Sequence, residues 1–231
     1  FPLFGYDLKD YEALFDEKLE LLQLANESTK VNWQGQLTQS IAGKEVYPRP
    51  VQGKLPLWVA TGGHVESTVK IARVGLPIVY AIIGGNPRYF KKLIQAYREI
   101  GREAGHADKD LKVGAHSWGW IAEDGEQAVK DYFHPTKQVV DAISKDRPHW
   151  QELSYEQYLE QVGPNGAMFV GSPDQIAEKL IRMIEDLDLD RFMLHLPLGS
   201  MPHDQVLRAI ELFGTQVAPK VRAYFAMKEG L

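Results

Sequence analysis

The chain has 231 residues, 44% of them hydrophobic, enough to bury a sizeable core as one domain spanning residues 1–231. A net charge of −5 with no basic stripe excludes a nucleic-acid surface, and no run approaches the ~20 apolar residues of a membrane span. Zero cysteines exclude disulfides, thiolate chemistry and cysteine-ligated zinc.

Asp7 is suited to cap a helix running to about Ala25, with Leu8, Tyr11, Leu14, Phe15, Leu19, Leu21 and Leu22 at helical spacing. Residues 31–47 read as an irregular hairpin turning at Ala42-Gly43. Pro48, Pro50 and Gly53 mark a surface crossing before a first core strand, Leu55 to Thr61. A helix from about Val65 to Val74 stops at Gly75, a residue type that ends helices in the left-handed conformation. Pro77 to Ile83 is a continuous apolar run, as in a parallel strand buried on both faces. Asn86-Pro87 caps a helix continuing to about Ala104.

The third strand, Leu111 to Ala122, carries His116-Ser117-Trp118-Gly119-Trp120. A helix follows over 123–143, with Pro135 interrupting or kinking it. Residues 144–170, marked by Pro148, Gly163, Pro164 and Gly166, form an irregular excursion with a short helix near Tyr155 to Gln161. Ser172-Pro173-Asp174-Gln175 is a capping box that opens a helix to about Asp186. Arg191 to Leu198 is the fourth strand, and a final helix starts at Ser200 and Pro202 and ends near Val217. Four β/α units result, half of what a closed (β/α)₈ barrel of about 250 residues uses.

Two of these units end alike. Leu55-Pro-Leu-Trp-Val-Ala-Thr-Gly-Gly-His64 and Pro77-Ile-Val-Tyr-Ala-Ile-Ile-Gly-Gly-Asn86 each pass from strand through paired glycines into a helix. Such glycines let a ligand approach the backbone, and the following helix start offers N–H groups to a phosphate. They also serve as plain tight turns, and both readings stand at this point. His116 is the best candidate for a substrate-facing polar group. Strand alternation sets it and Trp118 on one face and Ser117 on the other, although a lone strand histidine is more often structural. His195 sits among residues that read as core. No His-x₃-His, histidine–carboxylate cluster, Gly-x-Ser-x-Gly elbow, Walker loop or Gly-x-Gly-x-x-Gly fingerprint occurs, so no metal is expected.

The chain resembles the luciferase-like monooxygenase family. The resemblance is carried by Phe1-Pro-Leu-Phe-Gly-Tyr-Asp-Leu-Lys-Asp-Tyr11, Trp58-Val-Ala-Thr-Gly-Gly63 with Glu66-Ser67, and Ala81-Ile-Ile-Gly-Gly85. It continues through Val170-Gly-Ser-Pro-Asp-Gln-Ile176 and Glu211-Leu-Phe-Gly-Thr-Gln-Val-Ala-Pro-Lys-Val-Arg222. Each motif is weak alone, and the set is specific. It implies an α/β fold of the (β/α)₈ TIM-barrel type with only about four units, strands five to eight, in this chain. About a hundred residues of such a barrel would precede Phe1, and the missing half would supply part of the flavin pocket.

The resemblance further implies an FMN phosphate held by Ala60, Thr61, Gly62, Gly63, Glu66 and Ser67. It sets Ala81, Ile82, Ile83 and Gly84 against the isoalloxazine rings, with ordinary core packing the alternative for Ile82. The activity implied is oxygenation of a small organic substrate by reduced FMN and O₂, with a flavin reductase supplying the reduced flavin. A homo-oligomer in the cytoplasm, free of nucleic acid and membrane, is expected. The isolated chain is expected to show little turnover. The rival readings are a non-catalytic flavin- or phosphate-binding protein or assembly fragment, and a deazaflavin-dependent oxidoreductase.

Overall fold

Residues 1–147 and 150–230 are described by the computed structural model, with the backbone alone at residue 229. The chain divides into two units, Phe1–Leu57 and Trp58–Leu231.

In the first unit Asp7 does cap a turn. Its carboxylate accepts from the Lys9 N–H at 3.0 Å, but the turn is a short 3₁₀ segment, Leu8–Asp10, that leads into helix α1, Tyr11–Glu27. Arg49 closes the far end of α1 by donating to the carbonyls of Ala25 (2.8 Å) and Asn26 (2.7 Å). A cation there also complements the negative end of the helix dipole.

Strands β1, Lys30–Trp33, and β2, Ile41–Glu45, pair antiparallel, with Lys30 opposite Glu45. The turn therefore lies between Trp33 and Ile41, not at Ala42-Gly43. Gly43 is a kink inside β2, at φ +58, with its N–H bonded to the Asn32 side chain at 2.8 Å. What fixes the true turn is remote in sequence: the Glu17 carboxylate accepts from the N–H groups of Gln36 (3.2 Å), Leu37 (2.9 Å) and Thr38 (2.8 Å), and from the Thr38 hydroxyl.

The second unit is a parallel sheet with helices between its strands. Strands β3, Val59–Thr61, β4, Ile78–Ala81, β5, Val113–Ile121, and β6, Phe169–Gly171, follow one another, and β7, Arg191–His195, also pairs with β5. The sheet thus has five strands rather than four. The strand passed over, β6, is three residues long and ends the irregular stretch; of the residues that marked that stretch, Pro148 lies outside those described. Lys179 organises the approach to β6. Its buried ammonium donates to the carbonyls of Val162 (3.0 Å), Gly163 (2.7 Å) and Met168 (2.6 Å).

The helices follow their local signals. Helix α2, Val65–Val74, stops at Gly75, at φ +73. Asn86 caps a 3₁₀ turn, Pro87–Phe90, that continues into α3, Lys91–Glu103. Asp124 caps α4, Gly125–Asp146, which runs through buried Pro135 without a break. After α5, Tyr155–Val162, the Ser172–Gln175 capping box starts α6, Pro173–Leu187. The last helix does not end near Val217. Helix α7, His203–Leu212, passes through a π turn, Phe213–Val217, into α8, Ala218–Glu229. The π turn sets Pro219 in the first turn of a new helix, where its missing N–H costs nothing. Among the described residues no helix is long and apolar enough to cross a membrane.

Candidate functional site

Parallel register and strand alternation together divide the sheet into two faces. Ala81 and Met193 both stand opposite His116, His195 opposite Trp118, Arg191 opposite Gly114, and Ala60 opposite Val79. The residues between them, Ile78, Tyr80, Val113, Ala115 and Ser117, are fully buried and form the core face. On the first face Ala60, Arg191 and His195 are exposed, Met193 is 37% exposed, and Ala81 and His116 are half-buried. The Arg191 guanidinium lies 4.7 Å from the centre of the Trp58 ring. Gly114 leaves room for that indole: a Cβ there would stand 3.3 Å from both Trp58 and Val79. This face is mostly apolar and, among the described residues, basic where it is polar; it is open in part, since Val79, Gly114 and Trp118 on it are buried and the Trp118 ring packs against Trp150 with centres 6.3 Å apart.

His116 and His195 meet near its carboxyl end, with ring centres 5.6 Å apart and planes tilted by 37°. Burial, and then the neighbouring His195, hold His116 below the usual imidazole range. Among the described residues neither ring is hydrogen-bonded to the protein, and no group of three metal-ligating side chains forms. His195 was not expected here. Its neighbours Phe192 and Leu194 are half-buried on the opposite side of β7, and the available signal was the alternation Arg191, Met193, His195.

The rim is built by the two Gly-Gly turns. At the end of β3, Thr61 is buried and its hydroxyl accepts from the Gly63 N–H at 3.3 Å. His64, at the N-cap of α2, makes no side-chain cap, so the N–H groups of Val65, Glu66 and Ser67 are left without one. Glu66 is exposed and Ser67 half-buried. The helix start is anchored from behind. The Thr68 hydroxyl donates to the His64 carbonyl (3.0 Å) and lies 3.2 Å from the Tyr80 hydroxyl, which burial pushes up to about 12.

At the end of β4, Ile82 is fully buried, which fits core packing and not a wall against a ring. Its N–H donates to the His116 carbonyl at 2.8 Å, and its carbonyl accepts from the Ser117 hydroxyl at 2.9 Å. Ile83 is half-buried and Gly84 exposed. A Cβ on Gly62 or Gly84 would meet nothing within 4 Å.

The candidate residues therefore fall into three places. Ala60, Ala81 and His116 share the open face; Gly62, Gly63, Glu66, Ser67, Ile83 and Gly84 belong to the rim; Thr61 and Ile82 are core. A planar heteroaromatic ligand with a phosphate tail fits this arrangement. The face is mostly apolar, uncapped amides follow at the end of β3, and the glycine turns leave space there.

A family model described as luciferase-like monooxygenase matches residues 1–190. Among solved structures, the monooxygenase RslO1 from Streptomyces bottropensis is 20% identical, with a TM-score of 0.77 over 95% of this chain and 64% of its own. An F420-dependent secondary alcohol dehydrogenase, in complex with an F420-acetone adduct, is 16% identical, with a TM-score of 0.68 over 95% of this chain and 65% of its own. The riboflavin lyase RcaE, with modified FMN and riboflavin, is 19% identical, with a TM-score of 0.66 over 96% of this chain and 60% of its own. The chain thus spans less than two thirds of the length of each of these structures.

Proposed function

The chain belongs to the luciferase-like monooxygenase family, and from that premise we propose that it forms part of an FMN-dependent monooxygenase acting on a small organic substrate. The observation that carries this reading is the coincidence, on one rim, of the uncapped first turn of α2 and the open apolar sheet face. Bound reduced flavin would supply the electrons that activate O₂, while the protein holds the ring and shapes the cavity.

In this reading the amides of Val65, Glu66 and Ser67, with the Ser67 hydroxyl, hold the phosphate. Ala60 and Ala81 give the ring a flat wall, and Gly62 and Gly84 let it approach the backbone. His116 faces the substrate. A reductase as source of reduced flavin, a cytoplasmic setting and self-association belong to the same proposal. The last is supported by β3 and β7, each of which pairs with one strand alone among the described residues. The likeness to an F420-dependent dehydrogenase supports a second reading, a deazaflavin oxidoreductase built on the same face.

Fluorescence titration with FMN and riboflavin tests the leading reading, because the two ligands differ only in the phosphate. FMN should bind, and Ser67→Ala should weaken it about three- to ten-fold while leaving riboflavin unchanged. Absence of FMN binding, or equal loss for both ligands, would remove the phosphate role. Binding of F420 in preference to FMN would select the second reading.

A further inference from the structure

We propose that His116 and His195 act as one recognition site for an acidic oxygen on the organic substrate, a carboxylate or an ionisable enol or phenol on a flat apolar body. The inference rests on the flavin-enzyme reading for its place in the reaction and on the geometry of the open face for its chemistry. The two imidazoles lie 5.6 Å apart on adjacent strands, and neither is engaged by another protein group among those described. Their four ring nitrogens are therefore available to a ligand laid across β5 and β7. Around them the face is apolar: Ala60 from β3 and Trp58 from the segment before it, Ala81 from β4 and Met193 from β7, with Trp118 of β5 buried against Trp150.

Among the described residues the charge at the strand positions of this face has one sign. Besides the two histidines, its ionisable group is Arg191, two residues back along β7. The turn Ile82–Gly85 after β4 holds no titratable side chain, and neither does the segment 196–202 after β7, before His203 and Asp204. Among the described residues no carboxylate belongs to the strand positions of this face; the nearest in the flanking turns are Glu66 after β3 and, after β5, Asp124 and Glu123, the latter paired with Arg208. Two imidazolium ions this close would repel each other. A singly protonated pair donates one charge-assisted hydrogen bond and one neutral bond to an oxyanion, an arrangement suited to a carboxylate or enolate. A neutral alcohol on the same apolar body gains only the weaker bonds. Reduced flavin carries an anionic ring edge with the same chemistry, so the test has to separate the two sources.

The experiment uses the 231-residue chain and follows its imidazole resonances by NMR during titration with 2-naphthoate and with 2-naphthalenemethanol. Near pH 6, naphthoate should bind about ten-fold or more tightly than the alcohol and shift both His116 and His195. The preference should shrink toward unity by about pH 8.5, well above the ordinary imidazole range. His195→Gln, at an exposed position, and His116→Gln should each remove most of the preference for the naphthoate.

Equal binding of the two probes, a preference that survives both substitutions, or no shift at either ring would overturn the proposal. So would loss of the naphthoate-induced shifts on saturation with reduced FMN, with the flavin itself shifting both rings; that result assigns the pair to the cofactor. Naphthoate recognition without any FMN binding would uphold the histidine pair and remove the flavin reading, so the two failures stay distinct.

Discussion

Gly63 holds φ +99, and a Cβ there would stand 2.7 Å from Phe90 Cε1, whereas a Cβ on the adjacent Gly62 would meet nothing within 4 Å. Phe90 itself is held edge-on against Tyr80, with ring centres 5.5 Å apart, so it has little freedom to withdraw. Gly63→Ala should therefore cost about 1–3 kcal/mol in urea unfolding, from backbone strain and the displaced ring together. Gly62→Ala should change stability by less than about 0.5 kcal/mol. A Gly62→Ala loss as large as that of Gly63→Ala would mean that the pair acts as one tight turn. The two readings that the Gly-Gly sequence left open thus divide between its members: Gly63 answers to packing and Gly62 does not. His195 was illegible for a related reason. A run of five residues read alone looked like core; its burial alternation and its pairing with β5 show that every second residue faces outward.

At the scale of elements, the hairpin of the first unit depends on a carboxylate from α1. The Thr38 hydroxyl, then the Leu37 N–H and further amides of the same turn, lower the Glu17 carboxyl from 4.5 to about 2. A carboxyl whose folded value is depressed contributes fully above its ordinary value and loses that contribution as pH falls through the folded one. The contribution of Glu17 should therefore be intact above about pH 4.5 and gone by about pH 2, which a carboxyl-carbon NMR titration would follow. Glu17→Gln should speed amide exchange at Gln36, Leu37 and Thr38 at neutral pH. Unchanged exchange at those three amides would show that the turn holds itself.

This dependence explains why the hairpin was found in the sequence but its turn was misplaced. Gly43 carries the local turn signal, while the residues that close the turn take their partner from about twenty positions away. Where the signal is local the reading held: α2 runs between the residues expected, and the Ser172–Gln175 box starts α6. Where the element is only three residues, as in β6, or where a π turn rescues a proline, as before α8, periodicity has too little to work on.

For the molecule as a whole, the second unit turns on β5, which pairs with β4, β6 and β7, whereas β3 and β7 each have one strand neighbour among the described residues. Native-state hydrogen exchange should accordingly be slowest at Val113–Ile121 and faster at Val59–Thr61 and Arg191–His195. Equal protection across all five strands would show that the sheet opens as one cooperative body. The four-unit count from sequence captured the alternation of strand and helix, but missed β6 and the threefold pairing of β5, which no local pattern encodes. That pairing bears on how such a protein can change. His116 shares its strand with Ser117, whose hydroxyl ties β5 to the Ile82 carbonyl, so a one-residue slip would exchange the half-buried imidazole for the residue that makes this bond. Along β7, by contrast, Arg191, Met193 and His195 are all exposed. Substituting those three outward side chains should therefore disturb folding less than substituting along Val113–Ile121, which is hemmed in on every side.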